Sequence, residues 1–178
     1  RGHGADCVID PRDRGVDRRD WELVRSSYHA NAYDDHGMYK GGIDGFIDYL
    51  SSRHQTVDLS LHFLTNSFIE WAGQDAALVE TYFISRKLQK PQQGAGSAGT
   101  QPDDATDGKT IEAEILGRYV DHFTRSNGEW RIFERVVIYE SMRSALVPDV
   151  ALASEYTPAR RDGDDPLERK RRALGLAL

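Results

Sequence analysis

Apolar positions recur along this chain at two periods. In IDGFIDYLSS (43–52), Ile43, Phe46, Ile47 and Leu50 stand at i, i+3, i+4 and i+7, which predicts an amphipathic helix. Upstream, Asp20 is a candidate N-cap, and Trp21, Val24 and Tyr28 follow at helical spacing, so 16–29 reads as helical from Asp20. NAYDDHGMYKGG (31–42) reads as a short strand ended by glycines. After residue 57 the period shortens. Residues 57–88 predict two strands joined by a turn at Ala72 to Asp75, and 111–143 predict a long hairpin around SNGE, because Asn-Gly favours a tight hairpin turn.

Residues 89–110, rich in Gly, Pro, Gln and Asp, are expected to form a mobile loop. Residues 144–178 are expected to be an irregular tail ending in the basic stretch DDPLERKRRALGLAL, to which no function is assigned. Helices first, then four long strands in hairpin order, predict an α+β domain over 1–143. Its antiparallel sheet should carry the helices on one side. Long strands curl as they twist, and a curled sheet closed by helices makes a cone with a pocket.

Composition narrows the function. A chain of 178 residues suits one domain with a real core, and 39% hydrophobic with 29% charged residues is ordinary for a globular protein. A formal net charge of −6 argues against a general nucleic-acid binder. No apolar run has the length of a membrane span. No signal peptide is visible, so a cytoplasmic location is the expectation, although the chain opens at Arg1 without a Met and a targeting segment could precede it. The single cysteine, Cys7, excludes an internal disulfide and a cysteine-based zinc site.

Three strand residues stand out. His62 lies in DLSLHFLTN among Leu59, Leu61, Phe63 and Leu64, either as a satisfied core histidine or as a proton-handling group. Arg135 shares a strand face by alternation with Phe133, Val137 and Tyr139, so it is either paired with an acid or lines a pocket. Tyr119 falls in register with Ile115, Gly117 and Phe123, and Gly117 would leave space beneath it. His36, in YDDHG, looks like part of an Asp-Asp-His metal cluster. Contiguous strand residues point to opposite faces, so a solvated turn or a pocket-lining residue fits better and no metal site is assigned. His29 reads as a helix-end residue, and His54 and His122 have no special context.

The stretches RGVDRRDWELVRSSYHANAYDDHG, LHFLTN, ALVETYF, GRYVDHF and GEWRIFERVVIYE resemble, in order, the SnoaL-like branch of the NTF2-like superfamily over roughly residues 8–143. The chain looks most similar to the group containing scytalone dehydratase, hexachlorocyclohexane dehydrochlorinase and bile-acid 7α-dehydratase. In that group an aspartate closing the first helix orients a histidine on the sheet. The resemblance carries these roles to Asp17 and His62. It carries the dehydrochlorinase's pocket arginine to Arg135, the carbonyl-binding tyrosine of scytalone dehydratase to His36, and its cavity asparagine to Tyr119. The group has Tyr or Lys five residues before the aspartate, where this chain has Arg12 preceded by Pro11. A helix starting at Pro11 with Asp10 as cap would be short.

What the resemblance implies is a cofactor-independent lyase acting on a hydrophobic aromatic or polycyclic compound, with no metal. Asp17 would fix the imidazole tautomer, His62 would take the proton, and Arg135 and Arg12 would stabilise developing negative charge. Tyr119, Tyr39 and His36 would donate hydrogen bonds to substrate, with Asn66 and Tyr139 as further lining residues. A non-catalytic binding or assembly module, or an isomerase or cyclase, would use the same pocket. Apolar residues on the second sheet face, among them Leu61, Phe63, Val136 and Ile138, predict a homo-oligomer, a trimer before a dimer.

Overall fold

A computed structural model describes residues 12–91, 109–149 and 151–176. The expected loop over 89–110 falls mainly, and the expected Asp10 cap and Pro11 start wholly, outside these residues.

Six strands form one sheet in the order β2-β1-β6-β5-β4-β3. Strands β3 (Val57–Trp71), β4 (Ala76–Gln89), β5 (Lys109–Ser126) and β6 (Glu129–Pro148) pair as an antiparallel meander. The β5–β6 turn is Asn127-Gly128, both at positive φ (53° and 84°), the two-residue geometry whose twist matches that of the strands. Strand β1 (Tyr28–Asp35) joins β6 in parallel and β2 (Lys40–Gly42) in antiparallel fashion, so the sheet is mixed rather than purely antiparallel. The fold is the expected α+β architecture, a curved sheet with helices. Among the described residues no helix is long and apolar enough to cross a membrane.

Helix α1 (Arg12–Arg18) ends with Arg19 at φ 58°, while Arg19 N–H donates to the Val16 carbonyl and Asp20 N–H to that of Gly15. This paired closure satisfies two end carbonyls. It also lets Asp20 serve at once as N-cap of α2 (Trp21–Ser26), accepting from Leu23 N–H at 3.0 Å. Helix α2 stops short of the expected residue 29. The hydroxyls of Ser26 and Ser27 donate back to the Leu23 carbonyl at 2.8 and 3.1 Å, and the Ser27 carbonyl turns to accept from Ile132 N–H of β6. His29 therefore sits on β1, not at a helix end, with Nε2 3.0 Å from the Thr124 carbonyl.

Helix α3 (Ile43–Arg53) buries the predicted stripe of Ile43, Phe46, Ile47 and Leu50. These pack with Val16, Val24, Tyr28, Ala77, Val79, Phe123 and Ile132 into the main core at one end of the sheet. Towards the other end, Phe83, Tyr119 and Val137 form a second cluster that separates core from cavity.

The segment expected to be an irregular tail is only partly so. Strand β6 runs on to Pro148, and Pro166–Ala173 form α4, with Asp165 capping Leu167 N–H and Pro166 in the first turn, where its missing N–H costs nothing. Between them Arg161 reaches into the domain. Its guanidinium donates to the carbonyls of Asp17 (2.7 Å), Val16 (3.0 Å) and Val57 (2.5 Å), and lies 2.8 Å from His54 Nδ1. A cation thus covers the carbonyl-rich end of α1.

Candidate active site

On β4, β5 and β6 the inner face passes from core to cavity along each strand. Ala77 and Val79 lie in the core, whereas Phe83, Ser85, Lys87 and Gln89 line a cavity of about 460 Å³. Strand β6 changes parity on the way. Two register shifts insert Phe133 and Glu140, so Ile132, Arg135, Val137 and Tyr139 face inward, followed by Met142, Ser144 and Leu146. Phe133 therefore does not share the face of Arg135; it meets His122 edge-on at 5.5 Å and is exposed.

His62 lines the cavity beside the separating cluster, its ring 6.5 Å from that of Phe83. The Nδ1 atom is 2.7 Å from Asp17 Oδ1, and the backbone N–H of His62 donates to Asp17 Oδ2 at 2.9 Å. Ser60 Oγ adds a third bond to Asp17 Oδ1, also at 2.9 Å. The carboxylate is thus tied to both backbone and side chain of β3 and cannot rotate away from the ring. It accepts the Nδ1 proton, which leaves Nε2 as the basic nitrogen.

Asp13, which sequence reading missed, lies one helical turn before Asp17 and so on the same face of α1. It is buried, accepts from Arg12 Nη1 at 2.7 Å and from Tyr119 Oη at 3.2 Å, and its Oδ2 has no hydrogen-bond partner among the described residues. Burial pushes its carboxyl up, but His62, Arg12 and Arg135 together outweigh this and hold it below the usual range.

Neither Arg135, carried over by resemblance, nor Arg12, which stands where the group has Tyr or Lys, reaches the cavity wall. Arg135 is 1% exposed and grips Asp121 with Nε and Nη2, both at 2.6 Å, while its guanidinium lies 4.1 Å from the centroid of the Tyr119 ring. Of the two readings open for it, pairing with an acid is the one observed; the partner comes from the neighbouring strand at the same rung. Arg12 is equally buried, over the rings of Phe46 and Tyr119 at 5.3 and 5.4 Å. Both sit behind Tyr119 and support it.

Tyr119 lines the cavity, stacked on Phe83 at 4.4 Å, and burial raises its hydroxyl well above the usual value, so it stays protonated. The space beneath it left by Gly117 is taken: Phe83 and the Ile138 carbonyl close over that glycine. His36 also lines the cavity, with Nδ1 3.2 Å from Asp34 Oδ1, and Asp34 in turn accepts from Tyr28 Oη at 2.6 Å. Burial pushes the His36 imidazole down to about 4, partly offset by Asp34, so it is neutral. Tyr139 lines the rim, donating to the His36 carbonyl at 3.2 Å, with its hydroxyl raised to about 12 by burial.

Two expected lining residues lie elsewhere. Tyr39 donates to the Gly42 carbonyl at 2.6 Å and stacks on Tyr49, closing the turn before α3. Asn66 is exposed where β3 runs past the sheet's covered part, beside a register shift between Leu64 and Ser67 that breaks its alternation with His62. Lys87 was missed. It lines the cavity two residues along β4 from Ser85, which pairs with His62. Alternation from Phe83 would have placed it there.

A curved sheet enclosing a partly apolar cavity, with one imidazole tied to a buried helix carboxylate, defines a class of small-molecule pocket proteins. The profile of the SnoaL-like domain family matches residues 13–136, and the chain belongs to that family. Among solved structures it is similar to a candidate scytalone dehydratase from Novosphingobium aromaticivorans (12% identity, TM-score 0.60, 82% of this chain and 88% of that one). It is also similar to a type 2 hexachlorocyclohexane dehydrochlorinase (15%, 0.59, 81% and 86%). A candidate aromatic ring hydroxylase from N. aromaticivorans is similar too (18%, 0.60, 78% and 87%). At these identities the likeness is one of fold. No curated protein matches the sequence.

Proposed function

We propose that the protein is a cofactor-independent lyase that removes a proton and a β-leaving group from a hydrophobic ring compound. The observation that carries this reading is the Asp17–His62 pair, 2.7 Å apart, with the ring on the wall of a cavity large enough for such a compound. Nε2 of His62 takes the proton. Asp17 holds the tautomer and stabilises the imidazolium that forms. Neutral His36 and protonated Tyr119 and Tyr139 are the hydrogen-bonding groups for a substrate carbonyl or hydroxyl. Arg135 and Arg12 act at one remove, by holding Tyr119 and Asp13 in place and keeping positive potential behind the site. The lyase names among structural neighbours are in keeping with this reading.

The test is product analysis with hydroxylated and halogenated ring compounds in deuterated buffer. For an active compound, His62→Ala and Asp17→Asn should lower turnover by about 10²–10⁴-fold. Unchanged turnover in His62→Ala removes the base, and deuterium uptake with no leaving group released makes the enzyme an isomerase.

The outer sheet face exposes Phe63, Tyr82, Ile84, Leu116 and Val136, which supports a homo-oligomer, a trimer before a dimer. Light scattering coupled to gel filtration distinguishes these states from a monomer.

A further inference from the structure

The cavity wall carries formal charge of one sign. Arg53 and Lys87 line it, and among the described residues no Asp or Glu does. The chain as a whole has a net charge of −6, so a positive chamber is a local arrangement and not a reflection of composition. Both cations lack an acidic partner among the described residues. Arg53 lies over the Tyr49 ring at 5.5 Å and points Nη1 at Met38 Sδ, 3.8 Å away. Lys87 makes no hydrogen bond or ion pair among the described residues. Elsewhere on the protein, exposed Lys40 and Lys90 and half-buried Arg118 reach nearby carboxylates. The half-buried Lys87 amine faces a partly apolar chamber, with part of its solvation lost and the exposed Arg53 repelling it, an arrangement that a bound anion reverses.

We propose that Lys87 and Arg53 bind a carboxylate of the substrate, so that the ring compound taken by the cavity is an acid. This deepens the lyase reading and rests on it only in needing a small molecule in the cavity. The rest of the wall supplies the apolar remainder of the site, with Leu50, Phe83, Ile111, Ile115 and Met142 against the ring. Lys87 pairs with Ser60, and the next inner-facing rung pairs Ser85 with His62. Successive inner-face positions on a strand are about 7 Å apart. A carboxylate held at Lys87 therefore places carbons a few bonds from the acid beside the imidazole.

Lys87 is faced by Arg53 from α3, by Arg12, Asp13 and Asp17 from α1, and by His36 and His54. Burial first, and then Arg53 and Arg12, pull its amine down to about 8, against the opposing pull of Asp17 and Asp13. Anion binding should accordingly weaken as pH rises from 7 to 9.

The test is calorimetric titration of the full chain with 2-naphthoate and with its neutral analogue 2-naphthylmethanol. At pH 7 the wild type should bind the acid about tenfold or more tightly than the alcohol. Lys87→Met should abolish that preference while keeping affinity for the alcohol, and Arg53→Gln, at an exposed position, should reduce it. Equal affinity for both probes in the wild type, or a preference retained in Lys87→Met, overturns the acid site and leaves the lyase reading standing. Binding of neither probe overturns both. Trapping of an aldehyde on Lys87 by borohydride, seen as a mass increase lost in Lys87→Met, would make the amine a nucleophile and overturn its role as an anion site.

Discussion

Replacing Arg135 by methionine removes the cation that grips Asp121 in a site where the two side chains are 1% and 2% exposed. The pair has two charge-assisted hydrogen bonds of 2.6 Å, and the guanidinium also covers the Tyr119 ring. Removing one member of such a pair deprives a buried charge of this partner and typically costs about 3–5 kcal/mol. For a chain of this size that corresponds to a fall in melting temperature of about 6–20 °C. Urea unfolding followed by fluorescence of the three tryptophans measures the loss directly. The double variant Arg135→Met with Asp121→Leu removes both members of this pair and should recover part of the lost stability, because an apolar pair of similar size needs no counterion. A cavity-facing arginine that met substrate would behave differently, costing activity but little stability. A loss below about 1 kcal/mol in the single variant, or no recovery in the double one, would refute the assignment of Arg135 to a supporting pair.

Gly117→Ala should destabilise by about 1–3 kcal/mol in the same assay, since a Cβ there meets Phe83 Cζ at 2.8 Å and, closer still, the Ile138 carbonyl. Arg161→Ala should cost about 1–3 kcal/mol and speed hydrogen exchange of the α1 amides, because it uncovers the carbonyls of Val16 and Asp17. Stability should fall between pH 7 and 5. Burial holds His36 at about 4 and His54 at about 2, so in this window the unfolded chain takes up protons at these positions that the folded chain does not, costing about 2 kcal/mol for each imidazole. Asp13 and Asp34, held low, stay ionised there and add nothing to the slope. His54→Asn should flatten the pH dependence of the urea midpoint, and an unchanged slope would contradict the burial of a neutral ring.

What could be read from the chain alone follows from local periodicity. The α3 stripe, the β3–β4 and β5–β6 hairpins and the Asn-Gly turn are set by neighbours within a few residues, and each formed where the pattern placed it. Asp17 and His62, 45 residues apart, were brought together only by resemblance, because no local pattern measures the distance between a helix and a strand. Tertiary structure decided the rest. The two register shifts in β6 set which residues face inward, and alternation counted along one strand does not reveal an inserted residue. Asp121 became the partner of Arg135 through cross-strand pairing, turning an expected cavity residue into part of a buried support. Arg161, which reads as one charge in a polar tail, gained its role because the end of α1 offered carbonyls within reach. Periodicity specifies which face of an element is apolar. Only packing specifies which charges find a partner, and Lys87 and Arg53 face the cavity without an acidic one among the described residues.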